Sequence, residues 1–343
     1  MKTKVLFIER KPYQNVSLEK VFRQIAGTIN KVNFETAFQS LSYFNTTLGT
    51  IKNLLFYRKL PADIYHITGH NHYLALVLPE NRTVLTIHDT GILHIRKGLR
   101  RYLIKKINFD LPVKKLRYIT AISEATKKEI VYFTNCAPEK IRVIENPIQD
   151  NFVLSGNNFQ ERVFNADCPT ILQIGTAYNK NLKNLILALE DIKCRLVIVG
   201  RLDEESEKAL KNNRISYENK FDLTDEEIRN EYLKTDIVVF CSTFEGFGLP
   251  IIEAQSMRKP VLTSNLSPLK EVAGDSAALA DPNDFLSIKK ELKRIINDEK
   301  HRENLVRTGY ENVKRFNADT IVGLYENLYS EIKNELSKSQ PQK

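Results

Sequence analysis

The sequence predicts an α/β protein built from two doubly wound domains, and two observations support this. Short apolar runs that are typical of buried parallel strands alternate along the chain with stretches of helical periodicity. A polar, irregular segment at 149–169 divides this pattern into two halves, and 343 residues are enough for two domains of ordinary size. We therefore predict a first domain over 1–150 and a second over 151–318, with the carboxyl ends of both sheets lining a central cleft.

The predicted elements follow from apolar runs, helical spacing and helix start signals. Strands are predicted at 4–8, 64–67, 83–87 and 118–121 in the first half, and at 170–174, 195–199, 237–240 and 261–263 in the second. Helices are predicted at 18–29, 73–78 and 124–133, then at 182–189, 225–233, 251–256 and 288–297. An amphipathic helix at 319–336 closes the chain.

The composition is that of a soluble globular protein, and its charge is unevenly distributed. Hydrophobic residues make up 42% and charged residues 27%, and no apolar run approaches the ~20 residues of a membrane-spanning helix. The formal net charge is +9, and between Arg96 and Arg117 nine basic residues accompany a single acid, Asp110. Helical spacing there predicts a cationic helix face, which could meet an anionic membrane surface or acceptor, or simply be solvated. Regularly interleaved aromatic residues are missing, so nucleic acid is not an expected partner.

The most informative segment covers 242–253 and follows the predicted strand at 237–240. Gly246 and Gly248 let the backbone turn sharply and approach a ligand closely. Pro250 is typical of a first helical position, where the missing N–H removes no intrahelical hydrogen bond. The segment therefore predicts a buried strand, a glycine turn and a helix start in immediate succession.

This succession predicts a site for a phosphorylated ligand that also carries hydroxyl groups. The N–H groups of Phe247, Gly248 and Leu249 would point toward one spot at the helix start, where phosphate is stabilised. The carboxylates of Glu245 and Glu253 are unsuited to phosphate but can accept hydrogen bonds from sugar hydroxyls. The segment therefore indicates a sugar that is joined to a nucleotide through phosphates.

The spacing of Glu245 and Glu253 resembles the Glu-x7-Glu signature of family 4 retaining glycosyltransferases, which have the GT-B fold. The resemblance implies two Rossmann-like domains, with the last helix crossing back to the first. It also implies transfer of a sugar from a nucleotide-diphosphate donor to a hydroxyl of a glycan or lipid-linked acceptor. By family habit the setting is surface polysaccharide synthesis. The protein is then expected in the cytoplasm, either free or as a peripheral protein on the inner face of the plasma membrane. No metal or other cofactor is expected, because GT-B enzymes do not need a metal for the transfer.

The resemblance also assigns roles to the residues of this segment. Glu253 is expected to hold the ribose hydroxyls of the donor, and Glu245 is expected to hold hydroxyls of its sugar. The turn at 246–249 is expected to hold the phosphates through its backbone.

A second phosphate contact is predicted in the loop after the strand at 170–174. Gly175 ends this strand, and Lys180 precedes the next helix, where its ammonium could meet a pyrophosphate. Because negative charge builds on the departing phosphate, a positioned ammonium stabilises the transition state more than the ground state. The loop resembles the family's phosphate-binding loop, in which an arginine is also usual. Thr176 and Asn179 stand near that arginine's position here.

Several histidines lie within or shortly after two predicted strands of the first half. His88 lies in a His-Asp turn that resembles one in the family, where the histidine contacts the donor sugar, while Asp89 would orient it or cap the turn. His66, His70 and His72 are close enough in sequence to raise the question of a metal, but no carboxylate or cysteine follows nearby. Lining of the acceptor site and a purely structural role are the alternatives for these three.

The loop after the first strand departs from the family pattern. Many relatives have glycines there, and this chain has none between 11 and 19. Asn15 and Ser17 could offer side-chain donors to the substrate instead, although Ser17 could equally be the N-cap of the next helix.

Two other functional classes remain open at this stage. A nucleotide-sugar epimerase can share the fold, but it needs acid–base carboxylates that the sequence does not reveal. A non-catalytic sugar-binding homologue is also possible, yet the presence of Glu245, Glu253 and Lys180 together argues against lost activity. A metal-dependent transferase of the other main fold would need an Asp-x-Asp motif, which this chain lacks.

Overall fold

The structure, a computed structural model, describes residues 2–11, 17–154 and 163–339, which form two compact units. Unit 1 comprises Met1–Pro147 together with Ala318–Lys343, and unit 2 comprises Ile148–Asn317. Each unit contains one six-stranded parallel sheet with helices between its strands, which confirms the predicted pair of doubly wound α/β domains. The centre of the predicted linker, 155–158, lies outside the described residues.

Unit 1 has the strand order β2-β1-β3-β4-β5-β6. Its strands are β1 (Thr3–Glu9), β2 (Phe34–Ser40), β3 (Ile64–Ile67), β4 (Thr83–Ile87), β5 (Tyr118–Ala121) and β6 (Ile141–Val143). Its helices are α1 (Ser17–Thr28), α2 (Thr47–Phe56), α3 (Gly91–Ile95), α4 (Gly98–Lys105), α5 (Leu111–Lys115) and α6 (Glu124–Thr134), with a π-helical turn at Lys106–Asp110. Short 3-10 helices lie at His72–Leu76, Glu80–Arg82 and Pro138–Lys140.

Unit 2 has the strand order β12-β11-β10-β7-β8-β9. Its strands are β7 (Thr170–Ile174), β8 (Arg195–Val199), β9 (Tyr217–Lys220), β10 (Ile237–Phe240), β11 (Val261–Ser264) and β12 (Ala278–Ala280). Its helices are α7 (Leu182–Leu189), α8 (Glu204–Asn212), α9 (Asp225–Lys234), α10 (Leu249–Ser256), α11 (Leu269–Ala273), α12 (Phe285–Asn297) and α13 (Glu299–Val313). The last helix of the chain, α14 (Ala318–Ser339), belongs to unit 1.

The strand order changes direction once in each sheet. In unit 1 the reversal falls between β1 and β3, and in unit 2 it falls between β7 and β10. Helices that follow the two strands at such a point lie on opposite faces of the sheet. The loops at the carboxyl ends therefore diverge and leave a crevice, which is where doubly wound sheets bind ligands.

The predicted strands all exist, and those that the sequence did not predict lie at the sheet edges. These four are β2, β6, β9 and β12. The edge strands β2 and β9 are partly exposed and contain polar residues, so they lack the continuous apolar run of a central parallel strand, and β6 and β12 have only three residues each. The segment 217–220 illustrates this, since its sequence Tyr-Glu-Asn-Lys contains no aliphatic residue. The helix predicted at 73–78 is a 3-10 turn, His72–Leu76, because a proline at position 79 prevents its continuation.

A buried polar network holds α14 against the sheet of unit 1. The Nδ1 atom of His66 lies 2.7 Å from the hydroxyl oxygen of Tyr329 on this helix. Its Nε2 atom lies 2.7 Å from Oγ1 of Thr86, which lies 2.7 Å from Oγ1 of Thr120 on the next strand. Burial lowers the pKa of His66 to about 3, so the imidazole is neutral and both of its nitrogens have partners.

We predict that replacing His66 changes how stability depends on pH. A histidine whose pKa is lower in the folded state contributes fully above its unfolded value of about 6.5, and this contribution is lost as the pH falls toward the folded value. When the pH is lowered from about 7 to about 5, the burial of His66 should therefore lower the free energy of unfolding by about 2 kcal/mol. Over the same pH interval, the free energy of unfolding of His66→Gln should fall by about 2 kcal/mol less than that of wild type. Urea unfolding at both pH values is the measurement. Equal pH dependence in both proteins would contradict the buried, neutral imidazole.

Candidate functional site

Two loops of unit 2 leave neighbouring strands and meet at the point where the strand order reverses. Because β7 and β10 pair in parallel, the loops that follow them start side by side. The N–H of Thr243 donates to the carbonyl of Asn179 at 2.9 Å, and the Asn179 side-chain amide donates to the carbonyl of Phe244 at 2.8 Å. Asn179, which the sequence predicted to bind substrate, therefore links the two loops.

The ammonium of Lys180 and the carboxylate of Glu245, both predicted site residues, form an ion pair across these loops. The distance from Nζ to Oε1 is 2.5 Å, and the side chains are 23% and 15% exposed. The same Oε1 also accepts a hydrogen bond of 3.3 Å from the Asn179 amide. Within the described residues, the second oxygen of Glu245, Oε2, has no hydrogen-bond partner. The structure thus brings together the phosphate-binding and sugar-binding candidates.

Gly175 makes room for the side chain of Lys180. Its φ of +88° lies in the region that favours glycine, and a Cβ atom there would lie 2.9 Å from Cγ and 3.1 Å from Cε of Lys180. The side-chain amide of Gln173 on β7 donates to the Lys180 carbonyl at 2.9 Å and so connects the loop to this strand. Thr176 is engaged on the other side, where its hydroxyl donates to the carbonyl of Arg201 at 2.7 Å.

The glycine turn before α10 has the predicted form. Gly248 is the N-cap of α10, with a φ of +120°, and a Cβ atom there would lie 2.6 Å from Cδ2 of Leu269. Phe247 is buried, and its ring packs edge-on against Phe316 with the ring centres 5.7 Å apart. In the part of the chain that the structure describes, the N–H groups of Phe247, Gly248 and Leu249 find no protein acceptor. These groups are therefore available to an anion at the helix start, where the backbone dipoles favour negative charge.

Glu253 lies within α10 and is buried, with one oxygen held by a tyrosine that the sequence analysis missed. The hydroxyl of Tyr232 donates to Oε2 of Glu253 at 2.8 Å. Burial and the neighbouring carboxylate raise the pKa of Tyr232 well above its usual value, so the hydroxyl remains a donor. The contact joins residues 21 positions apart on α9 and α10, and no local sequence signal marks it.

In unit 1, His88 is buried at the end of β4 in a defined tautomer. Its Nε2 atom lies 2.8 Å from the carbonyl oxygen of Thr68, so Nε2 carries the proton and Nδ1 is an acceptor. Burial and the nearby His70 lower the pKa of His88 to about 4. Nδ1 has no partner among the described residues. Asp89 caps the following turn, since its Oδ1 atom accepts a hydrogen bond of 2.8 Å from the N–H of Gly91.

The remaining histidines and the loop after β1 complete the predicted set. His72 is buried with a pKa lowered to about 3 by burial and by His70, and its Nδ1 atom lies 3.0 Å from the carbonyl oxygen of Asn108. Across the described ranges, no group of three or more His, Cys, Asp or Glu side chains is arranged to hold a metal ion. Asn15 lies outside the described residues.

Two sequence families match this chain, and together they cover most of it. Residues 23–152 match the family described as Glycosyltransferase Family 4, and residues 155–312 match Glycosyl transferases group 1. The chain belongs to family 4 of the glycosyltransferases. The predicted family is therefore confirmed.

Curated relatives of this glycosyltransferase include enzymes of bacterial surface polysaccharides. It is 28% identical over 296 residues to the O-antigen chain mannosyltransferase B of Escherichia coli, covering 78% of this chain and 74% of that protein. It is 26% identical over 231 residues to the capsular polysaccharide biosynthesis glycosyltransferase CapM of Staphylococcus aureus, covering 62% and 61% of the two chains.

Solved glycosyltransferase structures share the fold. One is a glycosyltransferase from Rickettsia africae ESF-5, with a TM-score of 0.74 and 17% identity over 96% of this chain and 98% of that chain. Another is Anabaena Alr3699/HepE in complex with UDP and glucose, with a TM-score of 0.75 and 15% identity over 96% and 100% of the two chains. The fold prediction is confirmed by this similarity. Over the described residues, no helix has both the length and the apolar character to cross a membrane.

We predict that Gly175→Ala destabilises unit 2. An alanine at a φ of +88° is strained, and its methyl group would displace the Lys180 side chain, so the free energy of unfolding should fall by about 1–3 kcal/mol. Gly27→Ala is the control, because it lies in α1 with no atom within 4 Å of the added Cβ, and it should be neutral or stabilising. Urea unfolding of both variants is the measurement, and a Gly175→Ala variant as stable as wild type would refute the close packing.

Proposed function

We propose that this glycosyltransferase is a hexosyltransferase that moves the sugar of a nucleotide-diphosphate donor to an acceptor hydroxyl, with retention at the anomeric carbon and without a metal. One observation carries the proposal. Lys180 and Glu245 meet at the point of unit 2 where the strand order reverses, beside the helix start that leads to Glu253. An ammonium, a carboxylate and a helix N-terminus in one place suit a ligand that carries both phosphate and sugar.

Each group of the proposed donor has a chemically matched partner. The free N–H groups at 247–249 and the Lys180 ammonium would hold the diphosphate. Glu245 would accept hydrogen bonds from sugar hydroxyls through Oε2, which has no partner within the described ranges. Glu253 would accept hydrogen bonds from the ribose, and the donated bond from Tyr232 would orient its carboxylate.

The proposed reaction needs no protein nucleophile. The bond between the anomeric carbon and the phosphate oxygen breaks, and the acceptor oxygen forms its bond to the same face of that carbon. The proton of the acceptor hydroxyl passes to the leaving phosphate, so charge and atoms balance. The positive charge of Lys180 stabilises the phosphate most as its negative charge develops, which lowers the barrier rather than merely tightening binding.

The acceptor is proposed to be a hydroxyl of a glycan or a lipid-linked glycan in surface polysaccharide synthesis, on the cytoplasmic side of a membrane. Relatives named for O-antigen and capsule synthesis support this setting. The basic stretch from Arg96 to Arg117 supports contact with an anionic surface, because its helix α4 is exposed. His88 is proposed to accept a hydrogen bond from a sugar hydroxyl, since its Nδ1 atom has no partner among the described residues.

The first test is binding of UDP, GDP, ADP and CMP in the presence of EDTA, by calorimetry or thermal shift. We expect one diphosphate to bind wild type without metal and to bind Glu253→Ala about 10–100-fold more weakly, because hydrogen bonds to a buried carboxylate are lost. Glu253→Gln should lose affinity as well while still accepting the Tyr232 hydrogen bond, which guards against a folding artefact. Glu226→Ala, an exposed carboxylate in the first turn of α9, is the matched control.

The outcomes separate this proposal from the alternatives. If Glu253→Ala binds the nucleotide as tightly as wild type, or if no nucleotide binds at all, the proposed donor site is wrong. A non-catalytic homologue is then favoured. Nucleotide-sugar turnover that yields only an epimerised sugar would instead indicate an epimerase. Transfer to a hydroxyl acceptor with retained configuration, read by product NMR, is the result that we expect.

A second prediction concerns the ion pair between Lys180 and Glu245. Because the carboxylate of Glu245 neutralises the ammonium of Lys180, it weakens the attraction between this ammonium and the donor's phosphate. Glu245→Gln should therefore bind the nucleoside diphosphate about two- to fivefold more tightly than wild type, in line with the free energy of a partly exposed ion pair. The same variant should lose transfer activity, because the carboxylate that holds the sugar is gone.

The control for this prediction is a similar ion pair in unit 1. Lys105 and Asp110 lie 2.7 Å apart with side chains 31% and 22% exposed. Asp110→Asn removes an equivalent carboxylate and should leave nucleotide affinity unchanged. Weaker diphosphate binding by Glu245→Gln would show that the carboxylate helps to hold Lys180 in place rather than competing with the phosphate.

A further inference from the structure

One face of the sheet of unit 1 carries two helices whose outer sides are apolar. The helices are α2 and α4, the latter preceded by the short α3. Their exposed apolar side chains, together with the basic side chains between them, are called the α2–α4 surface below. The exposed apolar members are Leu48, Ile51, Leu55, Phe56, Ile92, Ile95, Leu99, Tyr102 and Leu103.

The orientation of α2 is fixed by its inner side. Gly49 is buried and so close to the preceding turn that a Cβ atom would lie 2.0 Å from the carbonyl oxygen of Phe44. The side-chain amide of Asn53 donates to the carbonyl of Tyr43 at 3.0 Å and to the hydroxyl of Tyr73 at 2.9 Å. Because this inner side cannot turn away, Leu55 and Phe56, which are 72% and 70% exposed, remain on the outside.

The helix α4 is attached to the core of unit 1 at its C-terminal end. Ile104 packs against the core of unit 1, whereas Leu99 is 73% exposed and Tyr102 is 59% exposed. The π-helical turn that follows, Lys106–Asp110, buries Phe109 in the same core. Residues 98–103 of α4 are all exposed, so the apolar side chains of this helix face solvent while the turn that follows it is packed in the core.

The two helices lie on the same face of the sheet. After β2 the chain runs in one direction across the sheet through β3, β4 and β5, so right-handed crossovers place α2 and α3–α5 on the same face. The 3-10 helix His72–Leu76 contacts both α2 and the turn Lys106–Asp110 that follows α4. The exposed sides of α2 and α4 thus lie on the same face of unit 1, linked through this 3-10 helix and the π-helical turn.

The charge of this surface has a single sign. Neither 41–62 nor 90–109 contains an acidic residue. Basic residues lie between the apolar ones, and within the described chain those that follow form no ion pair with a carboxylate: Lys52, Arg58, Lys59, Arg96, Lys97, Arg100 and Arg101. Exposed leucine, phenylalanine and tyrosine mixed with unpaired lysine and arginine is the pattern of a helix that lies in the interface of an anionic bilayer.

We propose that the α2–α4 surface docks this protein on an anionic lipid bilayer, and that α2 is as necessary as the basic stretch that contains α4. The apolar side chains of both helices enter the boundary between headgroups and acyl chains, while the cations bind the lipid phosphates. Two anchored helices fix the orientation of unit 1 on the membrane, which a single helix would not. The inference deepens the proposed function by naming the surface on which a lipid-linked acceptor is met.

The test uses the full chain and no nucleotide, so it does not depend on the proposed donor site. Co-sedimentation is measured with vesicles of phosphatidylcholine alone and with vesicles that also contain phosphatidylglycerol. We expect binding to the anionic vesicles, weaker binding at high salt and little binding to the neutral ones. Absence of binding to anionic vesicles, or equal binding to both kinds, would overturn the proposal.

Two double variants separate the contributions, with a control in unit 2. Leu55→Ser with Phe56→Ser on α2 should lower the partition coefficient about tenfold through lost apolar burial. Arg100→Gln with Arg101→Gln on α4 should lower it by at least about tenfold, at roughly fivefold for each cation. Leu286→Ser, at a leucine that is 59% exposed in α12, should bind like wild type.

The variants also distinguish the other occupants of such a surface. If the α2 variant binds vesicles as tightly as wild type, α2 has no part in docking and the proposal is wrong. A different result would be a wild-type protein that does not bind vesicles but forms dimers, with the α2 variant monomeric in analytical ultracentrifugation. The surface would then bind a second copy of the chain, and the proposal would be wrong. Nucleotide binding measured on the same variants should stay at the wild-type value in every case.

Discussion

The parallel pairing of β7 with β10 is the constraint on which the site of unit 2 depends. These strands adjoin although two strands separate them in the sequence, and their helices leave toward opposite faces. The loops at their carboxyl ends therefore begin together and diverge, and a ligand can enter between them. Glycines with positive φ at 175 and 248 then bring the Lys180 side chain and the start of α10 close to the same crevice. Any shift of this register would separate the ammonium from the carboxylate by the rise of a strand residue.

The pairing of Lys180 with Glu245 explains how the site holds two charged groups at low exposure. Each charge is partly removed from water, and each offsets the desolvation of the other. Both contacts to Glu245 use Oε1, so the carboxylate can keep its orientation while Oε2 makes other contacts. Asn179 bridges the loops whether or not the ion pair is closed, because its amide also binds the carbonyl of Phe244. At least this bridge between the two loops therefore involves no charged group.

The sequence predicted what is encoded locally and missed what depends on tertiary contacts. Central strands such as 237–240 are continuous apolar runs, and the glycine turn with its helix start is a short motif, so both were predictable. The edge strands β2 and β9 were missed because polar residues interrupt that signal, and β6 and β12 were missed because each has only three residues. Tyr232 was missed because its contact with Glu253 exists only once α9 and α10 pack together. The ion pair between Lys180 and Glu245 was likewise unpredictable, since the sequence identified both residues but assigned each to the ligand.

The two faces of the sheet of unit 1 are covered in different ways, and this difference explains the exposed surface. On one face, α14 packs beside α1 and is held by the buried hydrogen bond between His66 and Tyr329. This long helix is thereby committed to the face opposite α2 and α4. The outer sides of α2 and α4 consequently remain apolar and exposed in a protein whose chain is otherwise well packed. Large exposed apolar patches in soluble proteins are typical of interaction sites, and the cations here, which form no ion pair within the described residues, favour an anionic partner over another apolar protein surface.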